Sequence, residues 1–546
     1  RQRQMCIRDR EYSPYLGDYP NQVFFGDTHV HTSYSADAGF AGTTLGPEGA
    51  FRFARGEEVT SSTGVRARLQ VPLHFIVVAD HAENLGLAPL AAAGDPAVLA
   101  TEYGRKIHDM LKAGQGVDAF DQWRTSKASG IDPMGKGDTP ASRTAWDHIT
   151  STAEQFNDPG RFTAFIGYEW TSVPGGNNLH RNVVFRDGKE LADQVLPFSS
   201  YDSEDAEDLW RWMANYEQKT GGRLLAIPHN GNLSNGLMFD DVTFGDKAPI
   251  DRDYAERRAR WEPLIEVTQM KGDGEAHPLL SPTDEFADFE TWDKGGINSP
   301  EPKTPDMLPR EYARAALKRG LRYETKLGVN PFKFGLVGST DTHTALSTTD
   351  EAQYFGKITI LEPAPSEQRF HELVAGRTNP NGLDIGVEAW QVSSAGLAAV
   401  WARENTREAL WDAMQRKEVY ATTGTRPVVR VFAGWDFADG DQQRPDFVRY
   451  GYANGVPMGG DLVAAPQGKA PTFLIHAAKD PNNANLDRIQ LIKGWSDADG
   501  EIHERIWDVA VSDGRSIGLD GRCRTPVGST VDVADASYRN SIGAAA

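Results

Sequence analysis

The sequence has two cysteines in 546 residues, Cys6 and Cys523. They are too few for a disulfide framework and stand at no metal-ligand spacing, which excludes a disulfide-stapled module and argues against redox chemistry. Positive charge is also short. Lys and Arg total 57 against 77 Asp and Glu, a net of −20 that would repel a phosphate backbone and excludes a general nucleic-acid binder. No apolar run approaches the roughly 18 residues that span a bilayer, and the longest, such as Phe75 to Ala79, have the length of a core strand. The chain shows no fixed-period repeat, no low-complexity tract, no G-x-S-x-G elbow, no Walker phosphate loop and no G-x-G-x-x-G after a strand. Solenoid, serine-hydrolase, P-loop and dinucleotide readings fall away with them. What is present is an ordinary apolar fraction, 39% hydrophobic with 54 glycines, in a chain long enough for two or more domains or one large domain with long insertions.

The first ten residues, RQRQMCIRDR, resemble translated sequencing read-through, so residues 1–20 are set aside as artefactual or disordered. A native signal peptide would have preceded Val23. Both an exported or periplasmic location and a cytoplasmic one stay open for a chain expected to be soluble, and oligomeric state is not legible.

Apolar runs of strand length repeatedly end in chemistry-bearing residues. Val23 to Phe25 leads to Asp27, His29 and His31, Phe75 to Val78 to Asp80 and His81, and Phe165 to Gly167 to Glu169. Leu224 to Ile227 precedes His229, Leu264-Ile265 precedes Glu266, and Phe334 to Val337 precedes Asp341 and His343. Helical patterns lie between them, the clearest being Leu209, Trp212, Met213 and Tyr216 followed by Gly221-Gly222. Alternating strands and helices predict six strands pointing one way in a parallel sheet, and functional residues at the C-terminal strand ends suit a closed α/β barrel. Residues 89–160 read as an insertion near the site. A last helix from about Thr406 to Lys417 closes this unit. From Arg426 onward helical patterns cease, and Val428–Phe432, Thr472–Ile475, Arg488–Ile492 and Ile506–Val511 read as short strands of a β-rich, sandwich-like C-terminal unit.

His29-Val30-His31 places two imidazoles on one face of a strand, where both can reach one ion, although two neighbouring histidines can also be plain surface residues. Asp341-Thr342-His343 repeats the spacing, and His81, His229 and Glu169 stand at other strand ends. Imidazole and carboxylate donors together suit Zn, Mn or Fe better than Ca or Mg. Burying so many of them in one place is easiest to account for by bound cations. His74, His108, His148, His371, His476 and His503 lack such context and read as surface or structural residues. His277 reads as part of a solvated loop or, with Lys271 and Glu275, as lining of a substrate pocket.

These residues resemble the PHP superfamily, named for polymerase and histidinol phosphatase domains. Within it, GDTHVHTSYSADA, VVADHAE, FIGYEWT, HRNVVF, IPHN and GSTDTHTA look like the branch catalogued as domain of unknown function 3604, over about residues 21 to 546. The resemblance implies a distorted (β/α)7 barrel over residues 21–425, with residues 426–546 forming the C-terminal unit, and two or three divalent ions. By that likeness His29, His31, Glu169 and Asp341 would hold one ion. Glu169, His180 and His229 would hold a second, and His81 and His343 a third, with Asp37 where many members carry a histidine. Related chains continue past SYRNSIGA, so Ala546 is expected to be a truncated end.

Mn or Zn is the favoured metal, with Fe as a further candidate. Such ions would supply metal-activated hydroxide, and two of them would clamp the oxygens of a small anionic ester. A phosphomonoesterase or phosphodiesterase is the leading expectation. A sulfate, phosphonate, carbamate or other ester at the same site is the alternative enzyme, and a binding protein with a structural metal cluster is the non-catalytic one. Arg181 can hold a substrate oxygen or form a surface ion pair. Asp80, Asp37 and His81 are candidates for proton delivery. Tyr34, Tyr168, Lys271 and the loop ending at Arg426 are candidates for shaping the substrate pocket.

Overall fold

The computed structural model describes residues 19–135, 137–296, 299, 301–375, 386–392, 395–463 and 465–546. Residues 1–18, with Cys6 and most of the segment set aside from the sequence, lie outside the described residues. The fold is mixed α/β. Its main strands in chain order are β1 (Gln22–Val30), β2 (Phe75–Val78), β3 (Thr163–Phe165), β4 (Gly167–Trp170), β5 (Arg181–Phe185), β6 (Leu224–Pro228), β7 (Leu264–Gln269), β8 (Gly335–Gly338), β9 (Leu397–Ala402) and β10 (Val419–Thr422).

These strands form a five-stranded sheet in the order β10-β9-β1-β2-β3, a three-stranded sheet β4-β5-β6, and a sheet in which β7 lies between Gly272–Asp273 and β8. Single parallel bridges, His81 to Glu169 and Val30 to Thr342, link the first sheet to the other two. Following the pairings, β1, β2, β4 and β6 run the same way, and so do β7 and β8. The sheets are nevertheless mixed, which corrects the expected parallel sheet: two strands outside the six expected ones run the other way, β5 antiparallel between β4 and β6, and β9 antiparallel to β1. β5 follows β4 after a short loop, and a connection that short returns the chain antiparallel, because a parallel crossover needs a dozen residues or more.

The inner strands are buried along their whole length, as the continuous apolar runs required. Close approach is built into the sequence at Gly26, where a Cβ would lie 2.3 Å from the Phe75 carbonyl oxygen across the β1–β2 pair. Phe75, Val77, Phe165, Val184, Leu225, Ile227 and Val337 share one core cluster.

The insertion is helical: α1 (Glu102–Lys112), α2 (Gly116–Ser129) and α3 (Pro140–Phe156). Its apolar face is shared with the start of the chain, since Phe40 packs in one cluster with Leu87, Val98, Ile107, Ala119 and Trp123. Helix α4 (Ala206–Thr220) is capped by the Asp205 carboxylate accepting from the Glu207 amide and stopped by Gly221 at φ 76°. It buries Leu209, Trp210, Met213 and Tyr216, so Trp210 takes the place expected for Trp212. The reason is polar: the Trp210 indole N–H reaches the buried Glu262 carboxylate at 3.0 Å, while Trp212 stays half-buried beside Phe198. Helix α5 (Ala313–Leu327) follows, and α6 (Arg407–Gln415) starts at the Thr406 cap with Leu410 and Met414 buried.

Beyond residue 425 the strands are longer than the sequence signals: β11 (Val428–Gly434), β12 (Thr472–Ala478), β13 (Arg488–Ser496) and β14 (Ile502–Val511). Helix α7 (Phe447–Asn454) corrects the expectation that helices cease there. β11 and β12 share a sheet, and β13 and β14 form a hairpin that packs on α5, where Lys318 meets Glu504 at 2.9 Å. Among the described residues no helix is long and apolar enough to cross a membrane.

Phe165 is buried edge-on to Phe75, with ring centroids 6.0 Å apart. Phe165→Ala should therefore cost about 3–5 kcal/mol, whereas Val117→Ala at the exposed start of α2 should stay within about 0.5 kcal/mol. Urea unfolding would register this as a lower midpoint for the first variant only. Matching midpoints would contradict the burial of Phe165.

Candidate metal centre

The strand ends bring together residues spread over more than three hundred positions. His29 and His31 flank the last residue of β1, and both are fully buried with ring centroids 5.0 Å apart. The far side of each ring is held. His29 Nδ1 lies 2.9 Å from a Glu266 oxygen at the heart of β7, and His31 Nδ1 lies 3.0 Å from the Ser35 hydroxyl, which itself donates to Asp37 at 2.9 Å. With Nδ1 of each ring donating to these oxygens, both Nε2 atoms are turned inward.

Those two Nε2 atoms are 3.0 Å apart. Glu169 Oε2 is 3.3 Å from His29 Nε2 and 3.2 Å from His31 Nε2, and Asp341 Oδ1 is 3.4 Å and 3.2 Å from the same atoms. Electron-rich atoms this close repel unless a positive charge lies among them. Such separations leave about 2 Å from each atom to a common centre, the length of a zinc–nitrogen or zinc–oxygen bond. Asp341 Oδ1 has no aligned hydrogen bond, although the Lys357 ammonium lies 2.8 Å from it, and His180 Nδ1 sits 2.7 Å from Glu169 Oε1 without hydrogen-bond alignment. The donor set therefore fits divalent cations.

Three groups of potential ligand atoms lie within 4.8 Å among the described residues: His29, His31 and Asp341; His29, Glu169 and His229; and His31, Asp37, His81 and His343. Glu169 stands between them. One oxygen faces His29 and His31, while the other is 3.2 Å from His229 Nε2 and close to His180. In the third group one Asp37 oxygen is shared by His81 Nε2 at 2.9 Å and His343 Nε2 at 2.8 Å. Local backbone strain supports the placement. Asp341 adopts φ 55° and Asn230, next to His229, adopts φ 52°, a left-handed turn that Asp and Asn tolerate best after glycine.

Charge balance explains the electrostatics. Burial pushes the His29 imidazole down, but Asp341, Glu266 and Glu169 outweigh it and hold it at about 10. Burial raises the Glu169 carboxyl, yet His81, His229 and His180 bring it well below the usual carboxylate range. Asp341 is likewise held low against burial by the ammonium groups of Lys271 and Lys357, which lie 2.6 and 2.8 Å from its two oxygens.

Several expected site residues are elsewhere or otherwise engaged. Asp80 is buried, and its two oxygens accept from the Thr32 amide and hydroxyl at 2.6 and 2.7 Å, so it braces the loop after His31. Burial raises its carboxyl to about 6. Arg181 points its Nε to Glu262 at 3.0 Å and also donates to the Leu179 carbonyl, so its ion pair is buried and not at the surface. Arg426 donates to the Val71 and Pro72 carbonyls, both at 2.8 Å, and ties β10 to the β2 approach. Tyr34 stacks on His148 with centroids 4.8 Å apart. Tyr168 is fully buried, its hydroxyl accepting from the Phe198 amide. His277 is buried and paired with Asp293 at 3.0 Å, which corrects the solvated-loop reading, and Lys271 rather than His277 reaches the cluster.

Sequence reasoning missed the supporting residues Ser35, Thr171, Gln269 and Lys357. Thr171 bonds His81 Nδ1, Gln269 donates to Asp341 at 2.7 Å, and Lys357 lies 2.9 Å from His343 Nδ1. Glu266 had the same strand-end signal as the others but no assigned role. Lys357 sits in a loop with no pattern around it.

The family model described as "Protein of unknown function (DUF3604)" matches residues 18–546. No curated protein matches the sequence. Among solved structures, a two-domain protein containing a predicted PHP-like metal-dependent phosphoesterase, from Bacteroides vulgatus ATCC 8482, is similar at 12% identity, with 78% of this chain and 82% of that chain covered and a TM-score of 0.30.

Two measurements check the centre. Since His29 and His31 are held above the ordinary imidazole value, cation binding must displace their protons. Affinity for Mn or Zn should then weaken as pH falls, by up to about tenfold per pH unit for each proton released. A flat affinity between pH 6 and 9 would contradict this. Glu266→Ala should lower metal affinity about 10- to 100-fold by freeing the His29 ring, and unchanged metal content in that variant would remove Glu266 from the supporting shell.

Proposed function

The chain belongs to the DUF3604 family, and from this premise we propose that it is a metal-dependent hydrolase of phosphoesters, monoesters or diesters, working at a centre of two or three divalent ions. The observation that carries this reading is the inward convergence of His29 Nε2, His31 Nε2, Glu169 Oε2 and Asp341 Oδ1 within 3.0–3.4 Å of their neighbours in a buried space. His180 and His229 would complete a second set through Glu169, and Asp37, His81 and His343 a third. Ions held there would supply Lewis acidity and a strong nucleophile from water at neutral pH.

The chain's own residues do the positioning. Glu266 and Ser35 fix the two imidazoles of the H-x-H pair, and Gln269, Lys271 and Lys357 fix Asp341. Lys271 and Lys357 also bring positive charge beside the site, which favours an anionic ester over a neutral one. The same reading treats the bridged sheets as a distorted barrel over residues 21–425, with residues 426–546 as a separate β-rich unit.

Glu169→Ala removes the carboxylate whose two oxygens face His29 and His31 on one side and His180 and His229 on the other, so it should lower hydrolysis of chromogenic phosphoesters by at least about a thousandfold and strip metal as well. His108→Ala, whose ring Nδ1 lies 2.6 Å from the Ala91 carbonyl, should keep both. Assays across added Mn, Zn and Fe with metal analysis of each variant decide the point. Equal activity in the two variants, or no phosphoester turnover with any metal, would overturn the proposal.

A further inference from the structure

The insertion does more than lengthen one connection. Trp123 on α2 brings its ring to 6.1 Å from the His81 ring, and its indole N–H donates to the Glu83 carbonyl at 3.2 Å. One turn on, the Lys127 ammonium lies over the Trp123 ring at 5.4 Å. Lys127 is half-buried, and among the described residues its ammonium has no hydrogen bond and no ion pair.

Four other cationic side chains are engaged. Lys271 and Lys357 serve Asp341, Arg181 serves Glu262, and Arg426 serves two backbone carbonyls. Among the described residues this ammonium is held by an aromatic face and by carboxylates beyond hydrogen-bond reach, which leaves its N–H donors open to a ligand. We propose that Lys127 is a substrate-binding residue, presented to the centre by the inserted helix α2, that receives a non-bridging oxygen of the anionic ester. This deepens the hydrolase reading and rests on it.

The surroundings agree with that role. Burial pushes the Lys127 ammonium down, and the carboxylates that act against this are Glu83, Glu169, Asp37 and Glu204, two of them members of the centre. Lys127 in turn contributes to holding the His180 imidazole down. Cations in the centre would offset the charge of Glu169 and Asp37, leaving Lys127 without counter-charge on that side and open to an arriving anion. The Trp123 face beneath the ammonium helps hold it in place, as aromatic faces do for cations. The specificity element would then come from the insertion, while the ligands come from the strand ends.

The test uses the full chain loaded with Mn and inorganic phosphate as the probe, with affinity measured by calorimetry. Lys127→Met keeps the apolar stem and should weaken phosphate binding about tenfold to a hundredfold, with metal content and melting temperature unchanged. Lys127→Arg should restore most of the affinity. With p-nitrophenyl phosphate, K127M should raise KM much more than it lowers kcat. Equal phosphate affinity in K127M and the unsubstituted chain, including no binding in either, overturns the proposal, as does loss of metal or of melting temperature in K127M. Phosphate binding is read without turnover, so a chain that binds phosphate through Lys127 but cleaves no phosphoester would sink the hydrolase reading and not this one.

Discussion

Four electron-rich atoms, two imidazole nitrogens and two carboxylate oxygens, face one another across little more than 3 Å where water is excluded. Coulomb repulsion in such a space is severe, and only a proton or a cation among the atoms relieves it. Much of the surrounding structure serves this arrangement. Glu266 and Ser35 set the direction of the ring nitrogens, two lysines counter Asp341, and the left-handed turns at Asn230 and Asp341 aim the side chains after β6 and β8.

The sheet is the means of bringing the donors together. Strands that run one way end on one side, and the strand-end residues gather there even though β5 and β9 run against the others. Tight spacing matters more than uniform direction. Gly26 lets β1 approach β2, and the His81–Glu169 and Val30–Thr342 bridges carry the alignment from one sheet to the next. The insertion then covers one flank, packing Trp123 against the His81 side through a cluster it shares with Phe40.

The positive side chains divide by partner. Arg181 and Arg426 carry the forked donors suited to an anionic oxygen, yet the fold uses them to tie segments together. Lysines line the centre instead. An ammonium is a compact charge on a flexible stem, and it can balance Asp341 without imposing the planar geometry of a guanidinium.

The sequence by itself determined which strand ends carry imidazoles and carboxylates, because apolar runs ending in His, Asp or Glu are local patterns set by the alternation of side chains along a strand. It also made the α4 and α6 helices readable from their caps and apolar spacing, apart from the exchange of Trp212 for Trp210. The roles of Asp80, Arg181 and Arg426 were not legible, since each depends on a partner distant in sequence or in another element: Thr32, Glu262 or the Val71–Pro72 carbonyls. A charged side chain's function is set by what compensates its charge once water is removed, and only the tertiary structure decides which groups are close enough to do so.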